Sequence, residues 1–231
     1  MLHDALVQPL SRLLLDWAHD NRTILFILAA LTIGFAIGRC RAYRGYKYQS
    51  PSEALLSRVV QANFGAPNYH LMNHLTLQLK DGSTQIDHIL VSRFGVFVIE
   101  TKDYKGWIFA NAKQANWTQV LFHHRFRFQN PIFQNGRHVR AVQGLLDFLP
   151  PGATKSVVVF TGNAEFKTEV PPRVFSISGL IDYLREHTVE VMSLNRMQFC
   201  VGRLETARLG ISGKTDVEHV QSLEQRHGNS I

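Results

Sequence analysis

Residues 84–102 contain an Asp, a Glu and a Lys at a spacing that a β-hairpin would gather. In an extended strand, residues two apart share a face, so Glu100 and Lys102 project together while Thr101 points away. The run 95–102 reads Gly-Val-Phe-Val-Ile-Glu-Thr-Lys. It is apolar on both sides before its charged end, so the pair lies beyond Val96 and Val98 at the rim of a buried sheet. A short turn near Arg93 and Phe94 joins this run to residues 84–92, and an antiparallel return brings Asp87 beside Glu100. Two carboxylates and an ammonium beside an apolar sheet are costly to bury unless they bind a cation or pair with each other. Two oxygen donors suit Mg²⁺ or Mn²⁺, which keeps several waters and takes phosphate oxygens as further ligands. Such an ion favours deprotonation of water and shields charge in phosphodiester cleavage, and a nearby Lys stabilises the same charge. The bland reading of these residues is a strand-end Glu–Lys ion pair with a capping Asp. A Glu-x-Lys alone carries little information.

The elements that must position these residues are readable on either side. Ser50-Pro51-Ser52-Glu53 is a helix start, with a Ser cap and Pro in the first turn. Leu55, Leu56, Val59 and Val60 give that helix an apolar face, and Gly65-Ala66-Pro67 ends it. A strand over residues 69–79 turns at Asp81-Gly82 into the two central runs. Residues 107–110 and 116–128 read as shorter strands or loops. Asn130-Pro131 breaks the chain before a helix over 134–149, which Pro150-Pro151-Gly152 ends. Residues 156–160 form a continuously apolar, buried strand, and 173–177 a further strand. Helices follow at 178–187 and 194–209. This order predicts a mixed α/β domain over residues 50–210, with a central mixed sheet flanked by helices and a polar tail over 211–231.

The run QIDHILVSRFGVFVIETKDYKGWIFA (residues 85–110), with Trp117 and the NPIFQN stretch at 130–135, resembles the nuclease-related domain family. That family is similar to the restriction-endonuclease-like superfamily, whose site is an Asp followed by Glu-x-Lys. The resemblance covers residues 51–149. It implies a restriction-endonuclease-like core, with Asp87 and Glu100 as metal ligands and Lys102 as the catalytic cation. It further implies Glu53, on the first helix, as a third metal ligand and catalytic acid, and Gln134, the Gln of the asparagine-proline motif, as a further catalytic residue. This sequence has Asp103 where the family usually has Asn. It has Ser50-Pro51-Ser52 where a glycine-rich approach to the helical acid is usual.

The N-terminal part is different in kind. Residues 23–38 are sixteen positions without a charge, and Ile24, Leu25, Phe26, Ile27 and Leu28 cover every side of a helix, as a lipid-facing helix requires. As a helix the run spans about 24 Å, short of a hydrocarbon core of roughly 30 Å. Snorkelling by Arg22 and Arg39 and an interfacial Trp17 make up the difference. Asp4, Asp16 and Asp20 and the Gly38-Arg39-Cys40-Arg41 end argue against a signal peptide, and the absence of a polar face argues against an interfacial helix. The sequence therefore predicts an extracytoplasmic segment (1–22), a transmembrane helix (23–38) and a basic stalk (39–49). Arg39, Arg41, Arg44 and Lys47 outweigh Arg12 and Arg22, which places the main domain in the cytoplasm, anchored to the cell membrane by a single pass. Ala30, Gly34 and Gly38 share one side of that helix, a spacing that favours a homodimer in lipid.

Residues 50–231 hold nineteen basic and fifteen acidic side chains, a mild excess that suits a polyanion without requiring one. The two cysteines, Cys40 and Cys200, imply no disulfide framework. His123 to Phe128 form a basic, aromatic stretch with two readings, nucleic-acid contact and a solvated edge strand. Trp107 and Trp117 read as packing residues, His88 as structural, and Arg137 and Arg140 as an exposed helix face. Two functions fit these observations. One is a membrane-anchored, Mg²⁺-dependent nuclease cleaving DNA or RNA; the other is a non-catalytic nucleic-acid-binding or scaffolding module on the same fold.

Overall fold

The computed structural model of the chain describes residues 21, 23, 24, 26–34, 49–79 and 82–210. The chain divides into two units, residues 1–48 and 49–231. In the first, the described positions between 23 and 34 are helical, with Phe26 72% and Leu31 64% exposed. Among the described residues, no helix is long and apolar enough to cross a membrane. The expected span over 23–38 runs past them. Its end, Gly38 included, residues 1–20, the stalk up to residue 48 and the tail over 211–231 lie outside the described residues.

The second unit opens with helix α1 (Pro51–Asn63), capped as its sequence predicts. The Ser50 hydroxyl accepts from the Glu53 N–H at 3.3 Å and donates to Glu53 Oε1 at 2.8 Å, with Pro51 in the first turn. Strands β1 (Tyr69–Leu79), β2 (Gly82–Ser92) and β3 (Gly95–Lys102) form an antiparallel meander. β3 then pairs in parallel with β7 (Thr154–Phe160), which pairs in parallel with β9 (Val174–Ser176). The five-stranded sheet runs β1-β2-β3-β7-β9.

Helices cover both faces of this sheet. Val96 and Val98 of β3 pack with Val142 of α2 (Pro131–Leu145), with its C-cap Leu146, and with Met197, Cys200 and Leu204 of α4 (Leu194–Ala207). Phe97 and Ile99, pointing the other way, pack with Leu56 and Val60 of α1 and with Leu180, Ile181 and Leu184 of α3 (Ile177–Glu186). The period of two along β3 thus assigns one set of residues to each helix layer.

The expectation of one central sheet needs correction. β4 (Gly106–Phe109), β5 (Asn116–Leu121), β6 (His124–Gln129) and β8 (Ala164–Phe166) form a second sheet, ordered β6-β5-β4-β8. The parallel pair β3–β7 continues beyond a break as the parallel pair β4–β8. Two glycines make the crossing. A Cβ on Gly162 would lie 2.2 Å from the Tyr104 carbonyl oxygen, and Gly106 combines a φ of +77° with a carbonyl 2.5 Å from where its Cβ would be. Trp117, Ile108 and Phe160 fill the inner face of the second sheet.

Candidate active site

The first two strands of the meander carry a paired irregularity that aims the first acid. On β1, Met72 points to the α2–α4 side, but so do Leu75 and Leu77; on β2, Ile86 shares that side with Ile89 and Val91. Strict alternation forbids both. The slip occurs opposite itself, between the pairs Asn73–His88 and Leu75–Ile86, where His74 holds a φ of +52°. A left-handed residue re-aims the side chains that follow it. The β2–β3 ladder ends at His88–Ile99, one residue short of Asp87. The Asp87 carboxylate takes over, accepting from the Thr101 N–H at 2.7 Å.

Glu100 continues the Val96–Val98 face of β3 and is 2% exposed. Its Oε1 accepts from the Lys102 ammonium at 2.6 Å, and Lys102 also donates to Gln134 Oε1 at 3.0 Å. Gln134 is held there by α2, whose start is set by the Asn130 side chain accepting from the Ile132 N–H and by Pro131. The buried Asn135 amide fixes the helix on the sheet, donating to the carbonyls of Val98 and Val157 and to Ser156 Oγ, each at 2.9 Å. One turn beyond Gln134, His138 Nδ1 shares a hydrogen bond of 2.8 Å with Thr84 Oγ1. Its Nε2 lies 3.2 Å from Glu100 Oε2, outside hydrogen-bond alignment.

Charge follows from this geometry. Burial, together with the carboxylates of Glu100 and Glu53, pushes Asp87 well above the usual carboxylate range, against the pull of the Thr101 N–H and Lys102. Burial would raise Glu100 too, but His138 and the Lys102 charge outweigh it and hold its carboxyl below the usual range. For Lys102, burial is outweighed by Glu100 and the ammonium is raised. The site thus favours the charged forms of Glu100 and Lys102 beside a second acid that burial and neighbouring carboxylates push toward its neutral form.

The structure brings together Asp87, Glu100, Lys102 and Gln134. Glu53 sits in the first turn of α1, engaged by Ser50; its charge is felt at Asp87. Sequence reading does not place His138 or Thr84. The available signal was the four-residue interval from Gln134, which stacks His138 on the same helix face. Of the residues read as packing, Trp117 is buried, with its indole N–H on the Asn111 carbonyl, whereas Trp107 is 49% exposed.

Residues 50–161 match the nuclease-related domain family over all of these positions. The chain carries a nuclease-related domain. The matched residues begin at the α1 cap and end just past β7, so they take in the site and stop short of Gly162 and β8. An uncharacterized protein of Bacillus anthracis is 40% identical over 96 residues, covering 41% of this chain and 45% of that protein. The match therefore spans less than half the length of that relative. No solved structure matches the chain.

Proposed function

We propose that the nuclease-related domain is a metal-dependent nuclease that hydrolyses phosphodiester bonds of DNA or RNA. The observation that carries this reading is the Lys102 ammonium, fixed between Glu100 Oε1 and Gln134 Oε1 beside Asp87. An ammonium has three donors; two are used, and the third is available to a phosphate oxygen. Gln134 uses its carbonyl oxygen on Lys102, which leaves its amide hydrogens for water or substrate.

A divalent cation fits the acids. Glu100 Oε2 is a buried oxygen whose neighbour His138 Nε2, at 3.2 Å, stands outside hydrogen-bond alignment, and Asp87 is driven toward its neutral form by burial and by neighbouring negative charge. Mg²⁺ or Mn²⁺ held by Asp87 and Glu100 would relieve both and supply Lewis-acid charge to the scissile phosphate. Among the described residues, no group of three or more His, Cys, Asp or Glu side chains stands at metal-ligating spacing. Glu53 would then act through its charge or through water, with substrate and solvent completing the shell. The same observation favours the second reading, a binding module in which Glu100 and Lys102 are a structural ion pair.

Residues 23–38 would hold the protein in the cell membrane with the domain on the cytoplasmic side; their charge-free sequence and the exposed apolar side chains of the described positions support this. The deciding experiment incubates the purified full chain with linear and structured DNA and RNA, with Mg²⁺, Mn²⁺ or chelator. Metal-dependent cleavage lost in Asp87→Ala is expected. Inactivity on every substrate, with no rise in melting temperature on adding metal, would leave the binding module.

A further inference from the structure

The outer face of the second sheet carries aromatic and basic residues that the site above does not use. On β4, Ile108 is buried inward, while Trp107 and Phe109 point outward at 49% and 39% exposure. Directly paired strand residues share a face. The register therefore sets out two parallel rows, Trp107–Val120–Arg125 and Phe109–Thr118–Arg127. Arg125 and Arg127 lie on β6, the edge strand, and both are exposed. Among the described residues, neither guanidinium meets a carboxylate. On the other side of Trp107, Lys167 lies over the indole ring, 4.8 Å from its centre, and pairs with Glu165, an acid in register with Trp107.

We propose that this face is a docking platform for single-stranded nucleic acid, with bases stacked on Trp107 and Phe109 and phosphates met by Arg125 and Arg127. Flat aromatic rings accept any base by stacking, and free guanidinium groups complement a sugar-phosphate chain. A duplex hides its base faces and gains only the arginines. Lys167, already over the indole, adds a third cation beside the stacking ring. The platform is also tied to the candidate active site through both strands that build it. Lys102 precedes Trp107 by five residues, at most about 18 Å of chain, and β6 leads through Asn130 directly into the helix that holds Gln134. The inference rests on the nuclease reading for the identity of the ligand, and it assigns the substrate class as single-stranded.

The test measures binding without cleavage. Fluorescence anisotropy of labelled oligothymidylate, its RNA counterpart and a duplex of equal length is read with the full chain in chelator. Wild type should prefer both single strands to the duplex. Trp107→Ala and Phe109→Ala should each weaken single-strand binding by about tenfold. Arg125→Ala with Arg127→Ala should weaken it and flatten its salt dependence by roughly two phosphate contacts. Should an alanine variant fail to fold, Trp107→Leu and Phe109→Leu keep the apolar bulk and must still lose affinity. Equal binding by wild type and the ring variants, or a duplex bound as tightly as a single strand, overturns the proposal. So does a wild-type dimer that these variants abolish while binding persists, since the face then pairs two copies. Cleavage is scored separately. Ring-dependent binding without cleavage removes the nuclease reading alone, and cleavage without ring-dependent binding removes the platform alone.

Discussion

Lys102 and Asp87 answer to different charges, and substitution separates them. If Asp87 and Glu100 hold a cation, Asp87→Ala abolishes both metal-induced stabilisation and cleavage. Lys102→Ala removes a donor to the transition state but none to the metal. Cleavage should fall by about 10²–10³ while added Mn²⁺ still raises the melting temperature at least as much as in wild type. A Lys102→Ala protein that no longer responds to metal would show that Lys102 instead organises the carboxylates. A second test concerns His88, buried on the opposite face, where Asn73 Oδ1 accepts from its Nδ1 at 2.8 Å and Ser57 Oγ lies 3.5 Å away. Burial lowers its pKa from 6.5 to about 4, with Glu100 opposing and His74 assisting. The unfolded chain therefore takes up a proton that the folded one refuses. Stability is full above pH 6.5 and falls as pH drops toward 4, by about 3 kcal/mol at most. Denaturation across that window should show a shallower slope in His88→Gln. An identical slope would place the acid sensitivity elsewhere. Glu100 and Lys102 were legible in the sequence because the strand period fixes their common face, and Asp87 because a hairpin must return it. His138 was not, since its approach to Glu100 depends on how α2 packs.

At the scale of elements, the sheet-to-sheet crossing is the step that brings β4 to β6 and the start of α2 beside the end of β3. Thr161 N–H bonds to the Lys102 carbonyl at 3.0 Å and Gly106 N–H to the Asn163 carbonyl at 3.1 Å, so the two strands leave the first sheet side by side. Gly162→Ala must push its Cβ against the Tyr104 carbonyl, which should cost about 2–4 kcal/mol. Gly144, in α2 with open space around its Cβ position, is the control: Gly144→Ala should gain up to about 1 kcal/mol from helix propensity. Urea midpoints of the two variants would settle the matter, and a Gly162→Ala protein as stable as wild type would mean the crossing gives way easily. The sequence announced most strands through their apolar runs, but it could not say that they form two sheets. Alternation tells which residues share a face, and not which sheet a strand joins. β8 has three residues, too few for any period to show. Alternation also set Trp107 opposite Ile108 without saying which face meets solvent. The slip at His74 was hidden because a positive φ in a non-glycine residue leaves no mark on the pattern.

For the whole molecule, the proposal of a cytoplasmic domain on a membrane anchor rests on an asymmetry of charge. Arg39, Arg41, Arg44 and Lys47 follow the charge-free run within nine residues, whereas Arg12 and Arg22 precede it alongside Asp4, Asp16 and Asp20. Basic flanks are retained on the cytoplasmic side, and acids contribute little to the choice. Self-association can be read in the same segment. If Ala30, Gly34 and Gly38 form a close-packing face, Gly34→Ile should weaken pairing in a membrane two-hybrid assay, and unchanged signal would leave the anchor monomeric. Orientation is the more consequential prediction, because the proposed chemistry needs nucleic acid and Mg²⁺ on the domain's side of the membrane. Reporter fusions after Gly45 and after Ile231 should both read cytoplasmic. The run spans only about 24 Å as a helix, so Arg22 and Arg39 must snorkel to opposite interfaces. That geometry leaves the flanking charges, and not surplus hydrophobic length, to decide direction. Neutralising Arg39, Arg41, Arg44 and Lys47 together should therefore yield mixed orientation, with part of the C-terminal reporter signal moving across the membrane. A C-terminal reporter found outside in the unaltered chain would refute the anchor's direction, and would place the carboxylates of Asp87 and Glu100 on the opposite side of the membrane.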